Sequence, residues 1–352
     1  MVLGPVMLDV TGPELSVEER EMLAHPAVGG VILFARNYES PGQIAALAAD
    51  IHAVRRPQLL IGVDQEGGTV QRFRAGFTPL PPMSVFGELY DHEPARALQI
   101  CEQCGWVMAA ELRAVGVDFS FAPVLDLRAG VSRVVNERAF HADPEVIARL
   151  AAAFVRGMHG AGMAAVGKHF PGHGSVAADS HHEMPIDDRD YQDIRYRDMI
   201  PFERLIQRRL AAIMPAHVTY SCVDARPAGF SDVWLKRILR GELAFQGVIF
   251  SDDINMAGAA VAGGPPERAR AALEAGCDMV LTCNDRGAVA AVLDALDEPR
   301  EPTAQVRLMR MHGRPSPSWQ QLERDDGWQR ATAALIALDR APELDLGDDQ
   351  PV

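Results

Sequence analysis

Short apolar runs rich in valine, isoleucine, leucine and phenylalanine recur along the chain, each too short for a helix and each followed by an amphipathic stretch at helical spacing. Eight such runs are present: Val6 to Val10, Gly30 to Phe34, Leu59 to Asp64, Phe119 to Asp126, Ala164 to Phe170, Ala211 to His217, Gly247 to Asp252 and Asp278 to Thr282. Between them the spacing predicts helices over Val17 to His25, Pro41 to Val54, Ala95 to Val115, Pro144 to Gly160, Arg197 to Leu210, Ser231 to Leu243 and Pro266 to Gly276. Runs that are apolar at successive positions are buried on both faces, as parallel strands beneath a layer of helices are. Eight βα units in succession predict a closed (β/α)8 TIM barrel, a single domain over residues 1–340. The rival, an open doubly wound sheet, would carry a glycine-rich phosphate turn after an early strand, and neither G-x-G-x-x-G nor G-x-x-x-x-G-K-S/T occurs in such a place.

The polar residues that close these runs narrow the picture. Asp9, Asp64, Asp126, Lys168 with His169, His217 and Asp252 fall at or near the carboxyl ends of predicted strands, the face on which barrel enzymes build their sites. Any one of them could be satisfying loop backbone; together they predict a shared pocket. Long irregular segments are expected over Arg72 to Glu88, Leu127 to Asp143 and Pro171 to Arg195. After Leu308 come MRMHGRPSPSW, one more helical run, and a closing acidic segment, residues 341–352, that reads as a poorly ordered solvated tail.

Composition excludes several classes. With 48% hydrophobic and 23% charged residues the chain has the material of a globular core. A net charge of −14 repels polyphosphate, so no nucleic-acid partner is expected. The amino-terminal stretch shows neither a basic leader nor a long apolar run before Asp9, so no membrane association and a cytoplasmic location are expected. Five cysteines are too few and too odd for a disulfide framework, and the Cys101-x-x-Cys104 pair lies in a helical pattern without a second ligand pair for zinc.

Four blocks could carry chemistry. GVDQEGGTVQR brings Asp64 to a strand end with Arg72 eight residues on, a carboxylate and a guanidinium suited to neighbouring hydroxyls, or else an ordinary surface ion pair. GKHFPGHGSVAADSHH holds Lys168 and His169 on a strand, then His173, Asp179, His181 and His182 in a glycine- and alanine-rich loop; a carboxylate near an imidazole makes a proton shuttle near neutral pH. A metal site is the alternative for this block, although no H-E-x-x-H spacing is present, and His173 and His182 suit loop-structuring or solvent-facing roles better than catalysis. GVIFSDDINM ends a strand in Asp252 and Asp253; alternation of side chains predicts that one of the two faces the barrel mouth, without saying which. SRVVNERAF offers Arg133 and Arg138 on a loop, one of them a candidate for substrate contact.

With these blocks in order from about Met7 to about Asn284, the sequence resembles the family 3 glycoside hydrolases, specifically the short single-domain β-N-acetylglucosaminidases of bacterial cell-wall recycling. VDQEGG, KHFPGHG with a following DSH, PAHV and FSDD carry the likeness. The resemblance implies Asp252 as nucleophile, with Asp253 its structural neighbour, and His181 as acid/base with Asp179 as its partner. It also implies that Asp64, Arg72, Arg138, Lys168 and His169 hold the hydroxyls of N-acetylglucosamine. A retaining mechanism through a glycosyl ester is implied as well, with no metal or other cofactor. The implied substrate is a small molecule, N-acetylglucosaminyl-1,6-anhydro-N-acetylmuramic acid with or without peptide, and the protein is expected to be a monomer. A metal-dependent barrel hydrolase is the competing reading.

Overall fold

The computed structural model describes residues 2–132, 135–177, 184–296 and 302–339. Eight parallel strands close into a barrel: β1 (Val6–Asp9), β2 (Val28–Leu33), β3 (Leu60–Val63), β4 (Phe119–Ser120), β5 (Ala164–Phe170), β6 (Ala212–Pro215), β7 (Val248–Asp253) and β8 (Met279–Thr282). Each pairs with its sequence neighbours, and β8 returns to β1 with Val6 opposite Val280. All eight apolar runs are barrel strands. The fourth is shorter than its run, pairing at Phe119 and Ser120 and again through a lone bridge from Val124 to Lys168.

Helices fill the intervals for local reasons. Ser16 caps the helix Val17–Leu23 in a reciprocal pair with Glu19. Asp143 accepts from the amides of Glu145 and Val146 to start the helix Pro144–Gly160, with proline at its first position. The helix expected from Arg197 is preceded by a π-helical turn over Ile194–Asp198 and continues as an α-helix over Ile200–Gln207. The stretch Arg72 to Glu88 is less irregular than its prolines imply, because Pro82 introduces a helix over Met83–His92. Beyond Leu308 there are two helices rather than one, Trp319–Leu322 and Asp326–Asp339. The acidic segment 341–352 lies outside the described residues.

Aromatic packing fills the barrel beneath its mouth. Phe119, Phe121 and Phe250 are fully buried, with centroids 5.1–5.5 Å apart. Gly62 makes room for them, since a Cβ there would lie 2.9 Å from the Phe119 ring. At the opposite end two buried aspartates tie strands together: Asp118 accepts from Ile61 N at 2.9 Å, and Asp278 from Ile249 N at 2.9 Å and from Arg240 at 2.8 Å. That end is sealed by structure, which leaves the carboxyl ends of the strands as the open face.

Candidate active site

A cavity of about 340 Å³ opens where strands β2, β3, β5, β7 and β8 end. Asp64, Glu66, Arg72, Arg138, Lys168, His169, Asp252 and Asp253 contribute its polar wall, and Phe34, Phe121 and Met214 are among its apolar lining. Six of these eight polar residues were expected in a site from the sequence; Glu66 was not, and Asp253 was expected only as a structural neighbour.

Glu66 is the centre of the charge network. Directly after β3 the chain forms a hairpin, Gln65–Gly67 against Val70–Gln71. Gly67 allows that turn at φ +129°, where a Cβ would also strike the carbonyl of Pro81. The hairpin sets Glu66 inward, where Arg138 binds it in a two-pronged pair, Nε to Oε2 and Nη2 to Oε1, both 2.8 Å. Lys168 Nζ lies 2.6 Å from Glu66 Oε1 and 2.8 Å from Asp64 Oδ1. Arg72 approaches Asp64 at 3.7 Å, and its guanidinium stands 5.9 Å from the Phe34 ring. Burial would raise the Glu66 pKa, but the Arg138 and Lys168 cations overcome it and hold the carboxyl well below its usual range. Lys168 suffers the same desolvation, and the Asp64 and Glu66 carboxylates nevertheless raise its pKa above the ordinary lysine value. Glu66 and Lys168 are therefore ionised together, a fixed acceptor beside a fixed donor.

A second cluster orients His169. Asp126, fully buried, accepts from the His169 backbone amide at 3.1 Å and meets its Nδ1 at 2.7 Å, leaving Nε2 as the ring nitrogen available to a ligand. Asp126 also receives the His173 amide at 2.8 Å. His173 is 2% exposed, so it structures the loop from inside and does not face solvent. Lys168 and His169 are adjacent yet both line the cavity; the peptide between them is cis, and the pairing with β6 slips between Lys168 and Phe170.

Across the cavity β7 supplies the two aspartates. Alternation predicted that one alone would face the mouth, but both contribute to the cavity wall, because the register with β8 shifts between Phe250 and Asp253. Their roles still differ. Asp253 Oδ1 accepts from the amides of Asn255 at 3.0 Å and Cys283 at 3.2 Å, binding the β7 and β8 loops together. Burial pushes its carboxyl up to about 7, with the negative Asp252 adding to the rise. Asp252 Oδ1 accepts from the Asp253 amide at 2.8 Å. His217, at the end of β6, is buried against Phe230 with rings 5.1 Å apart, and its Nε2 lies 3.2 Å from the Asp253 carbonyl. It braces the aspartate strand and is not among the residues lining the cavity.

Glu66 was missed as a site residue because it acts through partners distant in sequence, and a charged residue followed by paired glycines was the available signal. Asp126, expected at the pocket as an acid closing an apolar run, is instead the fully buried partner that orients His169. Arg138 lines the cavity, whereas Arg133, Asp179, His181 and His182 lie outside the described residues. Among the described residues no group of three or more His, Cys, Asp or Glu side chains is placed to hold a metal ion.

A larger cavity, about 570 Å³, lies between Trp106, His159 to Gly162 and Arg314 to Pro317. It sits where the helix Pro144–Gly160 ends, and a cation such as Arg314 is expected beside exposed helix carbonyls, while burial and Arg314 lower the His159 pKa. Asp325 is its single carboxylate, so it has no acid/base or nucleophile pair.

Residues 6–311 match the Glycosyl hydrolase family 3 N terminal domain. The Beta-hexosaminidase of Thioalkalivibrio sulfidiphilus is 58% identical over 98% of this chain and 99% of its own, and that of Alkalilimnicola ehrlichii is 56% identical over 98% and 99%. The crystal structure of NagZ from Neisseria gonorrhoeae in complex with N-trifluoroacetyl-D-glucosamine superimposes with a TM-score of 0.92 at 44% identity, covering 96% of this chain and 98% of that one. With its closed barrel and polar mouth, the chain belongs to glycosyl hydrolase family 3 and groups there with the β-hexosaminidases.

Proposed function

We propose that this protein is a retaining exo-β-N-acetylglucosaminidase that forms a covalent glycosyl ester on Asp252. The observation that carries the reading is that Asp252 lines the same cavity as a preorganised cradle of Asp64, Arg72, Arg138, Lys168 and His169. A pyranose held there by its hydroxyls has a carboxylate on the opposite wall as nucleophile. Asp252 attacks the anomeric carbon and the bond to the leaving oxygen breaks. His181, oriented by Asp179, protonates that oxygen. The same imidazole then takes a proton from water, which cleaves the ester with net retention. An imidazole in this role avoids a further carboxylate beside Asp252, Asp253, Asp64 and Glu66. No metal or organic cofactor enters these steps.

The substrate we propose is N-acetylglucosaminyl-1,6-anhydro-N-acetylmuramic acid, with or without stem peptide, cleaved from its non-reducing end during cell-wall recycling in the cytoplasm. Support comes from the likeness to the Neisseria enzyme crystallised with an N-acylated glucosamine. Among the described residues no helix is long and apolar enough to cross a membrane.

Trapping tests the reading. A 5-fluoro N-acetylglucosaminyl fluoride should leave a stable mass increment on the peptide containing Asp252, and Asp252→Asn should abolish both labelling and turnover. NMR observation of initial α-anomer product, or a label on another residue, would overturn it.

A further inference from the structure

The chain continues past residue 311, where the family match ends, and the helices Trp319–Leu322 and Asp326–Asp339 pack against the helix Pro94–Ala114. Trp328, on the second of these helices, donates its indole N–H to Glu111 Oε1 at 3.1 Å. Glu111 is 1% exposed within the helix Pro94–Ala114 and also accepts from the Thr78 hydroxyl and from the Thr78 amide, 3.1 Å from Oε2. The Thr78 carbonyl receives Gln71 Nε2 at 3.0 Å, and Gln71 Oε1 receives the Leu80 amide at 3.0 Å. Gln71 closes the hairpin that carries Glu66, and Arg72 comes next in the chain, with its amide held by Gln65 Oε1 at 2.9 Å. A second contact reinforces the first: the Trp319 ring lies 4.8 Å from Phe77, which packs on Phe73 and Tyr38.

An apolar side chain at position 111 could pack these elements without the cost of burying a carboxyl, a burial that pushes Glu111 up to about 7. What a carboxyl adds is a directional acceptor for three donors, which fixes the path of the loop leading back to Arg72. We propose that Glu111 and Trp328 are positioning residues for substrate binding, setting the place of Arg72 through Thr78 and Gln71. The proposal rests on the reading of the cavity as the glycoside site.

Hydrogen exchange of amides 72–80 and steady-state kinetics on an aryl N-acetylglucosaminide test it together in the full-length wild type, Trp328→Phe, Glu111→Ala and Glu111→Gln. Trp328→Phe and Glu111→Ala should speed exchange at 72–80 and raise KM about threefold to tenfold, the fold-change of one lost hydrogen bond, with kcat within about twofold. Glu111→Gln keeps an oxygen for Thr78 and should restore most of the KM. Should Glu111→Ala fail to fold, Trp328→Phe decides alone. Unchanged exchange at 72–80, or faster exchange with an unmoved KM, overturns the proposal while an active wild type leaves the glycosidase reading standing. A wild type inactive on the glycoside overturns both.

Discussion

Lys168 Nζ lies 2.6 Å from Glu66 Oε1, with the two side chains only 3% and 2% exposed. The lysine lies in β5, two residues before its end, and the glutamate sits in the hairpin after β3, so one ion pair fixes two sides of the cavity. Because Arg138 holds the other face of the same carboxylate, neutralising Glu66 would take from two buried cations a charge that both share, leaving Asp64 as the carboxylate beside Lys168.

Glu66→Gln should therefore destabilise the protein by about 3 kcal/mol, measured as the shift in a urea unfolding midpoint with unchanged slope. An exposed pair supplies the control. Arg20→Ala, which breaks the contact with Asp50, should cost no more than about 1 kcal/mol. Equal losses in the two variants would contradict the central role given to Glu66.

Asp126→Asn is expected to lower kcat/KM by about tenfold to a hundredfold, the scale of one charge-assisted hydrogen bond, because an amide can reverse the tautomer that the carboxylate imposes on His169. Near-neutral kinetics would mean that His169 is oriented by something else. Ring ¹⁵N shifts of His169 provide the direct check.

Glu111 gives stability a pH dependence of known sign. Its folded pKa is raised from 4.5 to about 7, so between those values the native state binds more protons than the unfolded chain. This contribution is fully present below the unfolded pKa and is lost as pH rises through about 7. Asp253, raised from 3.8 to about 7, acts in the same direction. Going from pH 5 to pH 8 should lower the unfolding midpoint less, or raise it more, in Glu111→Gln than in wild type; an identical change in the two would count against a shifted Glu111.

Prolonged treatment with EDTA should leave turnover intact, since the proposed steps use no metal. Loss of activity restored by zinc would instead support a metal-dependent hydrolase.

The barrel was legible because its strands are buried on both faces and read as unbroken apolar runs. Boundaries drifted where burial alone does not define pairing. The run from Phe119 to Asp126 forms just two ladder residues before Pro123 interrupts it, and the helix Met83–His92 was masked by the prolines ahead of it. Site residues were legible where a polar side chain ends an apolar strand, as at Asp64, Lys168 and Asp252. Where such a chain acts within a loop through distant partners, as Glu66 does, the local pattern of an acid before paired glycines marks a turn and not the partners that make it a site residue.

The order of strands, the face that bears the pocket and the chemical types gathered there come from periodicity and composition, which are local properties of the chain. Pairing across long separations does not. That Glu66 binds Arg138 72 residues away, that Lys168 reaches Asp64 across 104 residues and that Trp328 meets Glu111 over 217 were decided by closure of the barrel and packing of the outer helices. Desolvation belongs to the same level: a carboxyl reads alike at positions 66, 111 and 253, and only the partners that the fold assembles around each make one strongly acidic and the other two titrate near 7.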